Sequence, residues 1–248
     1  MTLRWMMALA LMPACLPQAA DAPARPGVLI ELFTSEGCSS CPPADDLLAK
    51  IDQIGQQNGT ALVVLSEHVD YWNSDGWTDP YSSAEFSKRQ QRYAQRFSDL
   101  GVFTPEMIVD GESAFVGSDG RKAEQEIMKA IAGATPDVQI AGAARGADGS
   151  VSFLVTARGK KGTRVMVALA DARAATQVRR GENAGRTLSH VAVVRELREA
   201  GRIGKDGEYR QTVRFAVPPG AGKAGLRVIA FETQGEEGKV LGAAEAPL

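Results

Sequence analysis

One short stretch, Gly27 to Ile54, limits what this chain can fold into more than any other part of the sequence. Val28 to Phe33 is an apolar run of strand-forming residues with a single glutamate inside it. Two cysteines in Cys-x-x-Cys spacing follow, and after Pro42 the apolar residues recur at helical spacing. A thiol at a helix N-terminus meets unpaired N–H groups and the positive end of the helix dipole, which together lower its pKa. The stretch therefore predicts a redox site at a strand-to-helix junction.

Metal sites use the same cysteine spacing, so a metal interpretation stays open beside the redox one. A structural zinc ion takes four ligands, and beyond residue 20 the sequence offers only Cys38, Cys41, His68 and His190 as cysteine and histidine ligands. Two cysteines that close so short a loop would stabilise a fold only weakly, because the stabilisation rises with loop length. We therefore expect a redox-active disulfide that needs no further cofactor.

The N-terminus has the pattern of a secretory signal peptide over residues 1–20, followed by a leader over residues 21–27. A basic residue, Arg4, precedes an apolar run that is too short to span a membrane. We expect cleavage after Ala20; the alternative is lipidation of Cys15, which would tether the protein. Both alternatives predict a periplasmic or secreted protein without a transmembrane span, in a compartment where disulfides persist.

The composition limits the classes of binding partner that are expected. The 248 residues are 44% hydrophobic and carry a formal charge of −2, with basic and acidic residues interspersed. No basic face suggests nucleic acid. The expected partners are protein or small-molecule thiols and disulfides.

Residues 28–133 show the element order β–α–β–α–β–β–α. Thr60 to His68 is predicted as a second buried strand, and a capping box at Ser82 to Glu85 as the start of a helix. Lys88, Arg89, Arg92 and Arg96 are predicted to form the solvated face of that helix. The loop between strand and helix carries Trp72, Trp77 and Tyr81, which either line a substrate groove or cap the sheet.

Residues 134–248 have a different sequence pattern: short strand-like runs separated by Gly-rich turns, with one long polar stretch at 175–186. Such runs predict an all-β, sandwich-like C-terminal domain. The predicted strands are Asp137–Ala144, Val151–Arg158, Thr163–Ala170, Leu188–Arg195, Tyr209–Val217, Leu226–Thr233 and Val240–Ala244.

The order of elements in residues 28–133, with a thiol pair opening the first helix and Thr104-Pro105 before the third strand, resembles the thioredoxin fold. The resemblance implies an α/β thioredoxin-like domain in which Pro105 is cis and packs beside the disulfide. It also implies a buried acid on the first strand, where Glu31 is the candidate proton acceptor; the alternative is a salt-bridged strand residue. Ser39-Ser40 between the cysteines matches neither the Gly-Pro of thioredoxins nor the Pro-His of Dsb-type oxidants.

More narrowly, the chain resembles a family of secreted bacterial proteins known as domain of unknown function 1223. That family carries no settled activity, so the resemblance bears on the fold more than on the function. The stretches that carry it are GVLIELFTSEGCSSCPPAD (27–45), EHVDYWNSDGWTDPYSS (67–83), RQQRYAQRF (89–97), FTPEMIVDG (103–111) and GRTLSHVAVVREL (185–197).

These observations predict an exported thiol–disulfide oxidoreductase in which Cys38, on the exposed side, attacks and Cys41 resolves the mixed disulfide. Pro105 with Thr104 would shape the groove for the partner chain. His68, at the end of the second strand, is expected near Cys38, where an imidazolium would stabilise the thiolate; the alternative is a structural histidine that hydrogen-bonds Asp70 or loop backbone. Two alternatives stay open: a copper(I)-binding or chaperone module that uses Cys38, Cys41 and His68, and a non-catalytic binding protein.

Overall fold

A computed structural model describes residues 27–58, 61–97, 101–134 and 138–248. The predicted signal peptide, Cys15 and nearly all of the leader lie outside the described residues. The helices in this part of the chain are α1 (Pro42–Asn58), α2 (Ala84–Arg96) and α3 (Gly120–Gly133). The strands are β1 (Gly27–Thr34), β2 (Ala61–His68), β3 (Glu106–Val109), β4 (Ser113–Val116), β5 (Val138–Arg145), β6 (Val151–Arg158), β7 (Arg164–Gln177), β8 (Thr187–Arg202), β9 (Glu208–Phe215), β10 (Leu226–Thr233) and β11 (Val240–Pro247).

The strands assemble differently from the prediction. Eight of the described strands form one mixed sheet in the order β11-β10-β7-β8-β2-β1-β3-β4, and β5-β6-β9 form a second, smaller sheet. Ser66 of β2 pairs with Val193 of β8, so strands from both predicted segments belong to the same sheet. The predicted α/β thioredoxin-like domain followed by an all-β sandwich-like domain is therefore wrong. The boundary between residues 133 and 134 stays a prediction.

Local pattern located the strands well, although it did not locate their partners. β6 and β10 have the predicted bounds, whereas β7 and β8 extend well beyond the predicted runs into a long antiparallel hairpin. Alternation and apolar runs depend on the immediate sequence, whereas pairing depends on contacts between residues far apart in the chain. That difference explains why the elements were confirmed and the architecture was not.

β1 lies inside the sheet and is buried on both faces. Ile30 and Leu32 face α1 and α3, where they share a core with Leu48 and other apolar residues of those helices. Phe33 packs on the opposite face against Tyr93 of α2. Because helices cover both faces, β1 is a rigid support for the loop that follows it.

The eight-stranded sheet is curved. Leu29 of β1 shares one buried core with Ile229 and Phe231 of β10, although several strands separate β1 from β10 in the sheet. A Cβ on Gly27 would overlap the carbonyl oxygen of Ala243 in β11, so glycine permits this close approach. The second sheet packs on the other face of β7 and β10 and forms a separate core there.

Candidate active site

Cys38 and Cys41 form a disulfide with a Cα–Cα distance of 5.4 Å, as predicted. The disulfide lies between the end of β1 and the start of α1. The backbone N–H groups of Ala44 and Asp45 donate to the Cys41 carbonyl oxygen at 2.8 and 3.2 Å, which places Cys41 at the N-terminus of the helix. A thiolate at this position would meet the positive end of the helix dipole.

Both cysteines are fully buried, each with 0% of its surface exposed. The sequence predicted an exposed Cys38, and in the disulfide form the structure differs. The neighbours Ser39 and Ser40 are exposed instead. The cysteines are buried because a segment from elsewhere in the chain packs over them.

The cover consists of residues 178–186, which connect β7 to β8; we call this segment the β7–β8 loop. The side-chain amide of Asn183 donates to the backbone carbonyls of Glu36 and Cys38, both at 2.9 Å. The Glu182 carboxylate accepts the Ser39 backbone N–H at 3.0 Å. Sequence reasoning identified this segment only as a polar excursion and missed its role, because nothing local connects it to the cysteines more than 140 residues earlier.

The Thr104-Pro105 peptide bond is cis, as predicted. Pro105 lies near the first turn of α1: a Cβ on Gly117 would lie 3.2 Å from the Ala44 Cβ and 3.3 Å from the Pro105 Cβ. The Thr104 hydroxyl accepts the indole N–H of Trp72 at 2.7 Å. The loop that carries Trp72 and the segment that carries Pro105 are thus joined on this side of the site.

His68 is completely buried, and its Nδ1 lies 2.7 Å from the Asp79 carboxylate. Asp79 also accepts the backbone N–H groups of Glu36 and Tyr81, each at 2.9 Å. Burial by itself would raise the pKa of Asp79, but the charge and hydrogen bond of His68 and these two N–H groups lower it to about 2. The prediction placed His68 within reach of the thiolate; its hydrogen bond, however, joins it to the loop before α2.

The structure does not assemble a metal site around His68. Within the described ranges, no group of three or more His, Cys, Asp or Glu side chains is arranged to hold a metal ion. The two predicted thiolate ligands, Cys38 and Cys41, are bonded to each other. The copper(I) alternative, which requires the reduced pair, stays a prediction.

We call residues 36–45, which carry the two cysteines, the disulfide segment. The three candidate groove aromatics lie around this segment and its neighbours. Trp77 donates its indole N–H to Glu36 Oε2 at 2.8 Å. The Tyr81 ring lies edge-on to His68, with 5.4 Å between ring centroids. Together with the bond from Trp72 to Thr104, these contacts show that the aromatic loop packs onto the site.

A second histidine, which sequence reasoning did not select, lies against carboxylates on both sides of the cysteine pair in sequence. His190 of β8 is buried, with Nε2 3.4 Å from Glu36 Oε1 and Nδ1 3.6 Å from Asp45 Oδ1. Its ring is also edge-on to His68, at a centroid distance of 4.6 Å. We call this group the His190 cluster; its members are His190, Glu36, Asp45, His68 and Asp79.

The signal that could have identified His190 is its polarity inside an apolar run. It interrupts the strand residues Leu188–Arg195, which were assigned to the C-terminal sandwich. Its neighbours from the first half of the chain appear only once β8 is known to pair with β2.

Of the two roles predicted for Glu31, the structure shows a salt-bridged strand residue. Its carboxylate is buried and paired with Arg89 of α2, whose Nε donates to Oε1 at 2.9 Å, and it accepts the Tyr93 hydroxyl at 2.6 Å. Arg89 also donates to Glu237 at 2.9 Å and lies 3.5 Å from Glu67. We call these five residues the Arg89 cluster. The prediction of Arg89 as solvated is wrong, because its guanidinium is the buried partner of several carboxylates.

Burial in the Arg89 cluster raises the pKa of Glu67 well above its ordinary value, against the opposing charge of Arg89. Arg89 and Arg92, whose Nη2 donates to Glu237 at 2.8 Å, carry two charges against three carboxylates, and protonation of one carboxylate reduces the repulsion. Within the described part of the chain, no hydrogen bond or ion pair joins this cluster to residues 36–45. Its geometry indicates a role in holding α2 to the sheet.

No helix in the described part of the chain is long and apolar enough to cross a membrane.

Among solved structures, the chain resembles a protein from Agrobacterium tumefaciens, with 28% identity over 90% of this chain and 95% of that one, at a TM-score of 0.66. HBP35 of Porphyromonas gingivalis is similar in fold, with a TM-score of 0.58 at 19% identity over 90% of this chain and 76% of that one. No curated protein matches the sequence significantly.

A family model described as a protein of unknown function, DUF1223, matches residues 29–232. The matched range includes the disulfide, the β7–β8 loop, His190 and most of both sheets. The chain belongs to the DUF1223 family.

Proposed function

We propose that the protein is an exported thiol–disulfide oxidoreductase whose working group is the Cys38–Cys41 pair. The observation that carries the proposal is a disulfide of sequence separation three at the N-terminus of α1. A loop of this size stabilises a fold by only about 2 kcal/mol, against nearly 5 for a loop of about 100 residues. The position instead favours a thiolate, which is the reactive form of cysteine.

The reaction that fits this pair is two successive thiol–disulfide exchanges. The Cys38 thiolate attacks a partner disulfide, a mixed disulfide forms, and one partner sulfur leaves as a thiolate. The Cys41 thiolate then attacks Cys38 Sγ, which releases the second partner sulfur and restores the disulfide. The pair loses two electrons, the partner gains them, and the two thiol protons end on the partner. The opposite direction uses the same steps in reverse.

Access to the pair requires a movement. Both sulfurs are buried beneath the β7–β8 loop, so a partner reaches Cys38 only when the contacts of Asn183 and Glu182 to the disulfide segment are released. We therefore expect slow exchange with large, rigid disulfides and faster exchange with small or flexible ones.

The test is exchange by the full chain with glutathione and with a disulfide-bonded protein, compared among wild type, Cys38→Ser and Cys41→Ser. We expect Cys41→Ser to accumulate a mixed disulfide through Cys38, and Cys38→Ser to lose exchange. Ser39→Ala is the matched control, since Ser39 is exposed between the two cysteines; the variant loses the hydroxyl contact to Glu182 but keeps the backbone N–H bond to it. Wild-type exchange no faster than that of a double serine variant would refute the proposal.

A further inference from the structure

His190 is held between two carboxylates that bracket the cysteine pair in sequence. Glu36 lies two residues before Cys38 and Asp45 four residues after Cys41, and each carboxylate approaches a different nitrogen of the same imidazole. All three side chains are buried. The ring therefore spans both ends of the disulfide segment from a strand more than 140 residues away.

The imidazole of His190 is positively charged at neutral pH. Burial alone disfavours the charged form, but the carboxylates of Asp45 and Glu36, one on each side of the ring, raise the pKa of His190 to about 10. The remaining neighbours are two rings, His68 at 4.6 Å and Tyr81 at 6.1 Å between centroids. The segment that carries the cysteines thus contains two buried carboxylates and lies against one buried cation from β8.

These charges are incompletely hydrogen-bonded within the protein. Five of their polar atoms have no hydrogen-bond partner of good geometry within the described residues: both nitrogens of His190, both oxygens of Asp45 and Oε1 of Glu36. The guanidinium of Arg89, by contrast, donates hydrogen bonds of 2.9 Å, although both oxygens of Glu67 and Oε2 of Glu237 in that cluster also have no partner within the described residues. In a buried region the field of an ion is weakly screened, so these charges act on any charge that appears nearby.

We propose that His190 is a positioning residue that sets the redox equilibrium of the Cys38–Cys41 pair. Its cation favours the thiolate that forms when the S–S bond breaks, whereas the carboxylates of Glu36 and Asp45 disfavour that thiolate. Reduction by two glutathione thiols cleaves the bond, places an electron pair and then a proton on each cysteine sulfur, and yields glutathione disulfide. A cation nearby stabilises the reduced, partly ionised pair, and a carboxylate destabilises it. The biological use of this setting rests on the proposed oxidoreductase function; the equilibrium itself does not.

The opposite signs of these effects provide the test. The equilibrium constant of the full chain with reduced and oxidised glutathione is measured for wild type, His190→Gln, Asp45→Asn and the double variant. We expect His190→Gln to shift the constant about tenfold towards the disulfide, which corresponds to a potential more negative by about 30 mV. Asp45→Asn should shift it in the opposite direction, and the double variant should lie between the two.

Asp52→Asn is the matched control, because Asp52 is a buried carboxylate of the same helix that pairs with Arg227 instead of His190. Its constant should equal that of wild type. The thiolate ultraviolet absorbance of each reduced variant against pH gives a second readout, and the titration of the more acidic thiol should move upward in His190→Gln and downward in Asp45→Asn. A structural role alone would change stability without these opposed shifts.

Equal constants for His190→Gln, Asp45→Asn and wild type, or shifts of both variants in one direction, would overturn the proposal. If His190→Gln does not fold, Asp45→Asn decides alone: a shift towards the dithiol supports the proposal, and no shift refutes it. Exchange of wild type with protein disulfides no faster than that of the double serine variant, together with opposed shifts in the glutathione constant, would refute the proposed function and leave this inference standing.

Discussion

The Arg89 cluster and the His190 cluster both bury one cation among several carboxylates, yet they hold that cation differently. In the Arg89 cluster, Nε and Nη1 donate hydrogen bonds of 2.9 Å to Glu31 and Glu237, and Tyr93 supplies a further bond at 2.6 Å to Glu31. In the His190 cluster, the imidazole lies 3.4 and 3.6 Å from its carboxylates. The first cluster joins α2 to the sheet, and the second adjoins the disulfide segment.

This difference separates stability from chemistry. The Arg89 guanidinium, held by short hydrogen bonds, contributes mainly to the fold, and its removal weakens the pairing of several buried carboxylates. The field of a cation acts on a third group whatever hydrogen bonds the cation makes, so the His190 cluster is distinguished by its place beside groups whose charge changes, here the sulfurs of a disulfide that is reduced and oxidised. The following predictions test whether the two clusters can be separated in this way.

The largest effect is expected for Arg89→Ala. Removal of a buried cation from its carboxylates should lower the free energy of unfolding by about 3–5 kcal/mol, measured by urea denaturation. The control Arg158→Ala removes a solvent-exposed partner of Glu208 and should cost at most about 1 kcal/mol. The glutathione equilibrium of folded Arg89→Ala should equal that of wild type. A shift comparable to that of His190→Gln would end the distinction between the clusters.

The second prediction concerns pH. The pKa of His190 is raised from 6.5 to about 10, so its contribution to stability is fully present below about pH 6.5 and is lost as the pH rises through 10. A pKa held that far above its unfolded value corresponds to a contribution on the order of a few kcal/mol. The difference in unfolding free energy between wild type and His190→Gln should therefore shrink from pH 6.5 to pH 10. A difference that grows over this range would contradict the assigned charge.

The sequence predicted much of the first cluster's scaffold and of the disulfide. β1, α1 and the Cys38–Cys41 bond follow from local residue types and spacing, and the cis Thr104-Pro105 bond was implied by the resemblance to the thioredoxin fold. Arg89 was misassigned because a helical pattern of arginines indicates a polar face, whereas only the fold shows that Glu31 faces it. In the sequence alone, a buried arginine cannot be told from a solvated one until the position of its partner is known.

The His190 cluster could not be predicted for a related reason. Its carboxylates lie close to the cysteines, but its imidazole comes from β8, and the β7–β8 loop that covers the disulfide comes from the same hairpin. Both depend on the pairing of β2 with β8, a contact between residues 66 and 193. Periodicity carries no information about such a pairing, since a strand can satisfy its pattern in either of two sheets.

The third prediction addresses the cover over the disulfide. Asn183→Ala removes two hydrogen bonds to the backbone carbonyls of Glu36 and Cys38, which should cost about 1–3 kcal/mol. The disulfide should also become more accessible, so the rate of its reduction by dithiothreitol should rise while the glutathione equilibrium changes little. Gln56→Ala removes an amide elsewhere on the surface and serves as the control. An unchanged reduction rate would show that the β7–β8 loop does not limit access.

The smallest effect is expected for Ser83→Ala, at the N-cap of α2. The Ser83 hydroxyl accepts the Glu85 backbone N–H at 3.2 Å, and its loss should cost about 1 kcal/mol, the usual value for an N-cap. The backbone bond from Ser83 N–H to the His68 carbonyl oxygen, at 3.0 Å, does not involve the side chain and should persist. The variant thus weakens the helix that carries Arg89 without removing a charge from either cluster. Urea denaturation should show the small loss of stability, and the glutathione equilibrium should be that of wild type. A shifted equilibrium would mean that changes in α2 reach the cysteine pair through the end of β2, and the two clusters would then have to be treated as one coupled unit.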